Sequence, residues 1–228
     1  MGLSFFTNKA NLNNHISNHI EISFTKHGPT LGLSGVLTSF SHVVFVQNIA
    51  LNLLRKKDNQ QYLFDWFAFR PTQYNIKGYS DIDLKMPTKF MVASNQSYKY
   101  NILFIDQNMY AEMNPYLKEI KRNWQKTLEQ ANFDIVVDKY QEIFDGFSRK
   151  EDALRPLQRL QELSYWEEGE YTVTIIITTR DKKYLEMKKT FLLNKENLDI
   201  LEQNSIVILH DLCKQPGVTY QTISSELK

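Results

Sequence analysis

The chain of 228 residues reads as an α+β protein: an antiparallel β-sandwich with a helical insertion and a C-terminal helical segment. Three observations predict this. Strand-patterned segments recur over 20–105. A highly charged, helix-patterned block follows over about 108–163. Strand pattern then resumes at 165–179 and returns to Leu193. A lone hairpin is marginal in water, so this last hairpin needs the earlier strands to complete its sheet. The expected organisation is one β domain over 1–193, interrupted by a helical insertion over 107–163, and a C-terminal helical tail over 194–228.

The strands are justified in turn by alternation. Ile20, Ile22 and Phe24 alternate with polar residues, the pattern of a strand with one buried face. His27-Gly28-Pro29 supplies a turn. Leu31, Leu33 and Leu37 follow around Gly32 and Gly35, where a glycine inside a strand marks a bulge or a close backbone approach. In 43–54 the apolar phase shifts at Gln47-Asn48, which predicts a kink or a bulge. Tyr62, Phe64 and Trp66 form one side of the next strand, and Leu63, Phe67 and Phe69 the other. Arg70-Pro71 ends it, because proline cannot donate to a central ladder. Ile82, Leu84 and Met86 predict a strand stopping at Pro87, then a short one around Phe90 and Val92, then a strong one over 98–105. Many short strands with frequent turns argue for a sandwich or a barrel.

Two stretches carry a resemblance. Leu33-Ser34-Gly35-Val36-Leu37, followed by the long run from Val44 to Leu53, is similar to the early strands of arrestin-like and other immunoglobulin-like β-sandwiches. Asp83-Leu84-Lys85-Met86-Pro87 before Tyr98-Lys99-Tyr100 resembles their apolar-Pro stretch before a later strand. The resemblance covers 20–105. It implies a binding scaffold rather than a catalyst, although a shared fold does not by itself establish a function.

The insertion reads as helices. Leu117, Ile120, Trp124, Leu128 and Ala131 recur at helical spacing, with Pro115 expected in the first turn. A second helix is expected over 133–147, ending near Asp145-Gly146. Ser148-Arg149-Lys150-Glu151 matches a capping box, and Pro156 predicts a helix start near Arg155 or a kink there. Asn194 is the expected N-cap of a helix from Lys195, ended by Gln215-Pro216-Gly217. A short helix capped by Thr219 is expected after it, so 208–227 looks somewhat like the first two helices of a helix-turn-helix, without a recognition helix.

Composition narrows the function. The net charge of +1 gives no basic excess, so nucleic acid is disfavoured as a partner. One cysteine excludes an intramolecular disulfide and fits a reducing, cytoplasmic setting. No run approaches the ~20 apolar residues of a membrane span. His15 and His19 would share a helix face but have no further ligands nearby in sequence; Asp81, Asp83 and Asp106 could meet at a sheet end. Cys213 has His210 and Lys214 beside it, as a nucleophile would want, but a small apolar residue on the helix is the plainer reading. No phosphate loop, dinucleotide fingerprint or nucleophile elbow is present, and no catalytic residue, metal or cofactor is assigned.

What remains is aromatic residues. Trp66, Phe69, Tyr74, Tyr116 and Trp124 form the candidate interaction surface, against the alternative that they fill the core. The expected function is a non-enzymatic interaction or scaffold protein, acting on a protein partner or by self-association. The alternatives are an enzyme or small-ligand binder, and a nucleic-acid-associated protein acting through its tail and a basic patch at Lys182, Lys183, Lys188 and Lys189.

Overall fold

The computed structural model describes residues 12–40, 42–70, 84–131, 136–181, 184–215 and 217–228. Tyr74, Tyr79, Asp81, Ile82, Asp83, Phe133, Lys182, Lys183 and Pro216 lie outside them. The strands are β1 (Leu12–Thr25), β2 (Gly28–Ser39), β3 (Val44–Arg55), β4 (Gln60–Phe69), β5 (Phe90–Val92), β6 (Ser97–Ile105), β7 (Gly169–Thr179), β8 (Tyr184–Leu193) and β9 (Ile223–Glu226). The helices are α1 (Gln107–Gln130), α2 (Val136–Ser148), α3 (Glu151–Glu162) and α4 (Lys195–Leu212).

All described strands join one antiparallel sheet, in the order β8-β7-β3-β4-β6-β2-β1-β9, with β5 paired to β3. The two ends of that order nearly meet. Thr190 of β8 and Lys228, just beyond β9, exchange both backbone hydrogen bonds, at 3.0 and 2.9 Å. The sheet is therefore nearly closed and barrel-like. Its inner face is set by strand alternation: Ile20, Ile22, Leu31, Leu33, Ile102, Phe104, Ile49, Leu51, Val173 and Ile175 are all essentially inaccessible. The insertion α1–α3 stands between β6 and β7, and β7 returns to pair along β3 from Val46 to Arg55. The register of β3 against β7 shifts between Val46 and Asn48, at the predicted phase change.

Two glycines admit large neighbours. Gly35 of β2 is paired with Tyr100 of β6, and a Cβ there would collide with the Tyr100 phenol. Gly32 lies beneath the Arg70 guanidinium, which pairs with Glu21 and donates from Nε to Asn101 at 3.1 Å.

Several expectations are corrected. The stretch 84–89 forms no strand; Lys85 makes only an isolated bridge to Phe69. Pro115 is inside α1, not in its first turn, because Asp106 starts the helix earlier by accepting from the amides of Asn108 and Met109. The capping box at Ser148 does not form: Ser148 donates to the Asp145 carbonyl, and α3 begins at Glu151 behind Lys150. Pro156 lies within α3 and does not set its start. The Asn194 cap is present as a reciprocal pair with Asn197. After α4 the chain forms β9 instead of a short helix, which removes the helix-turn-helix likeness. The physical cause is Asn204, fully buried in α4. It accepts from the Gln221 amide and donates to the Gln221 carbonyl, both at 2.8 Å, holding that backbone extended as a neighbouring strand would.

Candidate functional site

Where β3 pairs with β5, apolar side chains point away from the core. Val44 and Val46 of β3 face inward, at 8% and 0% exposure, so Val43 and Phe45 face outward, at 43% and 45%. Phe45 is directly opposite Met91 of β5, which is 52% exposed. The backbone amide of Arg180 donates to the Phe45 carbonyl, and its guanidinium lies 5.8 Å from the Phe45 ring centroid, a cation–π distance. Exposed Lys89 precedes Met91 by two residues and shares its side of the strand run. The result is an apolar aromatic-methionine-valine patch with cationic flanks. Aromatic, Met and Arg side chains are the ones that interface centres favour.

This patch is not the surface predicted from sequence. Trp66 and Trp124, at 8% and 4% exposure, are core residues. A bulge between Trp66 and Ala68 turns Phe69 onto the same face as Trp66, and the two rings meet edge-on at 4.7 Å beside Phe90. Trp124 is enclosed by Tyr140, Phe144 and Phe147, which knit α1 to α2. Tyr116 is half-buried against the core cluster, and Tyr74 is outside the described residues. The signal that was available is the unbroken apolar run Val43-Val44-Phe45-Val46: a strand with one buried face cannot bury both alternating sets.

The titratable groups are engaged in structure. Arg55 is nearly inaccessible, yet its guanidinium pairs with Asp58 at 2.7 Å and Glu167 at 2.9 Å and donates to the Tyr165 carbonyl at 2.7 Å. These bonds hold Asp58 at about 2, below the usual carboxylate range. Tyr165 stacks on Tyr62 at 3.8 Å and donates to Asp106 at 3.1 Å. Burial, then the Asp106 charge, raises the Tyr165 phenol. Burial, then Asp106 again, raises Asp65. Asp106 thus caps α1 and fixes Tyr165. His27 packs on Phe67 at 4.9 Å, and burial lowers its pKa. Cys213 is fully buried, and burial pushes its thiol up to about 12, the reverse of what a nucleophile needs. His15 and His19 are exposed and lie on a strand, not a helix. Among the described residues no group of His, Cys, Asp or Glu could hold a metal ion, and no helix is long and apolar enough to cross a membrane. Lys188 approaches Glu186 at 3.5 Å, and Lys182 and Lys183 lie outside the described residues.

One cleft of about 410 Å³ lies between α3 and α4, floored by Trp166, Leu198 and Leu201 and rimmed by Gln158, Glu162 and Glu202. Its rim groups largely satisfy one another, Gln158 donating to Glu162 at 3.2 Å and Gln161 to Ser205 at 2.7 Å.

No protein-family model matches the chain, and no curated protein does. Among solved structures, a family 123 glycoside hydrolase from Clostridium perfringens is similar at a TM-score of 0.34 and 8% identity. The likeness covers 80% of this chain, and the chain spans only 27% of that structure. So slight a likeness carries no argument about activity.

Proposed function

We propose that this protein is a non-enzymatic interaction module that binds a protein partner through the exposed apolar patch on β3 and β5. The observation that carries the reading is the Phe45–Met91 cross-strand pair, exposed together with Val43 and bordered by Arg180. Contiguous exposed apolar area of this kind marks interaction sites on soluble proteins. The engagement of the buried charged groups in structural bonds supports a scaffold over a catalyst. The resemblance of 20–105 to arrestin-like and immunoglobulin-like sandwiches points the same way, since it implies a binding scaffold. A cytoplasmic setting agrees with the single buried thiol.

The test is a Phe45→Thr, Met91→Thr double variant, which keeps strand propensity and deletes the apolar patch. Cross-linking in the native host should lose its captured protein in the variant while the melting temperature holds. Sedimentation of the full chain separates a foreign partner from self-association. Equal capture by both forms refutes the reading.

A small-ligand site in the α3–α4 cleft is the second reading. One observation favours it: Trp166 is 6% exposed and its Nε1 has no hydrogen-bond partner. Ligand-induced fluorescence change that disappears in Trp166→Phe would support it.

A further inference from the structure

The α3–α4 cleft holds polar groups that the rest of the fold leaves unused. Each helix turns one face to it: Gln158, Gln161 and Glu162 of α3 fall at i, i+3 and i+4, and so do Leu198, Leu201 and Glu202 of α4. The cleft is preformed. Gln161 donates to Ser205 across the two helices at 2.7 Å, and Ser205 donates to the Glu202 carbonyl at 2.7 Å. Trp166 on its floor packs against Phe64, Tyr165 and Tyr171, with ring centroids 6.3, 5.4 and 5.8 Å away. A volume of about 410 Å³ suits one small molecule. Its electrostatic character is one-sided. Two carboxylates border it, and among the described residues no Lys, Arg or His does. Glu162 is paired with Arg159 at 2.6 Å and accepts from Gln158. The Glu202 carboxylate has neither an ion pair nor a hydrogen bond among the described residues. The cleft also meets the C-terminal end of α3, at Glu162 and Ser164, where the last carbonyls of a helix add partial negative charge. The floor is apolar, with Leu201 buried, Leu198 half-buried and Trp166 buried apart from its orphan Nε1 donor, which has no hydrogen-bond partner.

We propose that this cleft binds a small organic cation: an ammonium group carried on an apolar body that also bears an acceptor oxygen. The inference deepens the small-ligand reading above and rests on it. The ammonium is held at the rim by the Glu202 carboxylate, where charge complementarity selects a cation over a neutral or anionic molecule. The apolar body covers Leu198, Leu201 and the indole of Trp166, and removing that surface from water supplies the affinity. The oxygen accepts from Trp166 Nε1, a buried donor that costs free energy while it is unpaired.

The probes are tyramine, which carries all three features, and two analogues that differ only at the charged end: tyrosol, its neutral alcohol counterpart, and phloretate, its carboxylate counterpart. Each is titrated into the full chain at low salt and followed by residue-resolved amide and indole N–H chemical shifts. The Trp166 indole signal is identified as the one that Trp166→Phe removes. Tyramine should bind with a Kd of about 1 mM, as expected of so small a molecule. It should shift the Leu198, Leu201 and Glu202 amides and the Trp166 indole N–H. Tyrosol should bind about fivefold more weakly, and phloretate more weakly still. Glu202→Gln, at an exposed helix position, should leave the melting temperature unchanged and lower tyramine to the affinity of tyrosol, while tyrosol binds the variant as before. Equal binding of all three probes overturns the cation assignment but leaves the cleft a ligand site. So does equal binding of tyramine to the native chain and to Glu202→Gln. Failure of all three to shift any residue of the cleft overturns the assignment together with the small-ligand reading on which it rests.

Discussion

Asn123 of α1 donates from Nδ2 to the Asp152 carbonyl of α3 at 2.9 Å. That carbonyl is the one that Pro156, four residues on and without an N–H, cannot satisfy. A proline inside α3 is thus accommodated by a side chain from another helix. Asn123→Ala should destabilise the protein by about 0.5–1.5 kcal/mol. In a Pro156→Ala background, where an amide again reaches Asp152, the same change should cost much less. A double-mutant cycle by urea unfolding checks this; equal costs in both backgrounds would refute the pairing.

Arg55 makes stability sensitive to acid. Asp58 is held at about 2 against an ordinary 3.8, chiefly by its hydrogen bonds to Arg55. A depressed folded-state value means that the stabilisation is complete above the ordinary value. It drains away as pH falls from near 3.8 toward about 2. Unfolding midpoints followed down this window should fall more steeply for the native protein than for Arg55→Met, in which Asp58 returns toward its ordinary value.

Glycine substitutions should split by environment. Gly35→Ala places a methyl against the Tyr100 phenol, between two paired central strands, and should cost about 1–3 kcal/mol. Gly146→Ala meets nothing within 4 Å in α2 and should stabilise by roughly 0.5–1 kcal/mol. Thermal unfolding of the two variants reads opposite shifts.

Cys213 should be inert in the folded chain. Its thiol is fully buried and raised to about 12. A chromogenic disulfide reagent at pH 8 should label it only at the rate of unfolding, and fast labelling without denaturant would contradict the burial.

Much of the strand layout was legible because alternation is local. Tyr171, Val173, Ile175 and Ile177 announce β7, and the phase change at Gln47-Asn48 announces the β3 bulge. Asn194 announces α4 because a cap acts within its own turn. The two prolines misled for the complementary reason: Pro115 and Pro156 have a local cost that the rest of each helix, and for Pro156 a partner helix, offsets. The candidate site was less legible. Trp66 and Trp124 are as suited to a surface as to a core until their neighbours are known, and Phe69 changed face at a bulge that alternation alone does not reveal.

The sequence by itself determined most of the order of elements up to α4, the insertion of helices between two parts of one sheet, and the near-neutral charge. These depend on residue type and spacing within a few turns of chain. Tertiary structure alone decided that the strands form one nearly closed sheet, that Gln221 is held extended by Asn204, and that Lys228 pairs with Thr190. Each is a contact between residues distant in sequence, and hydrogen bonding across such distances follows from which strands meet, not from the pattern within any one of them.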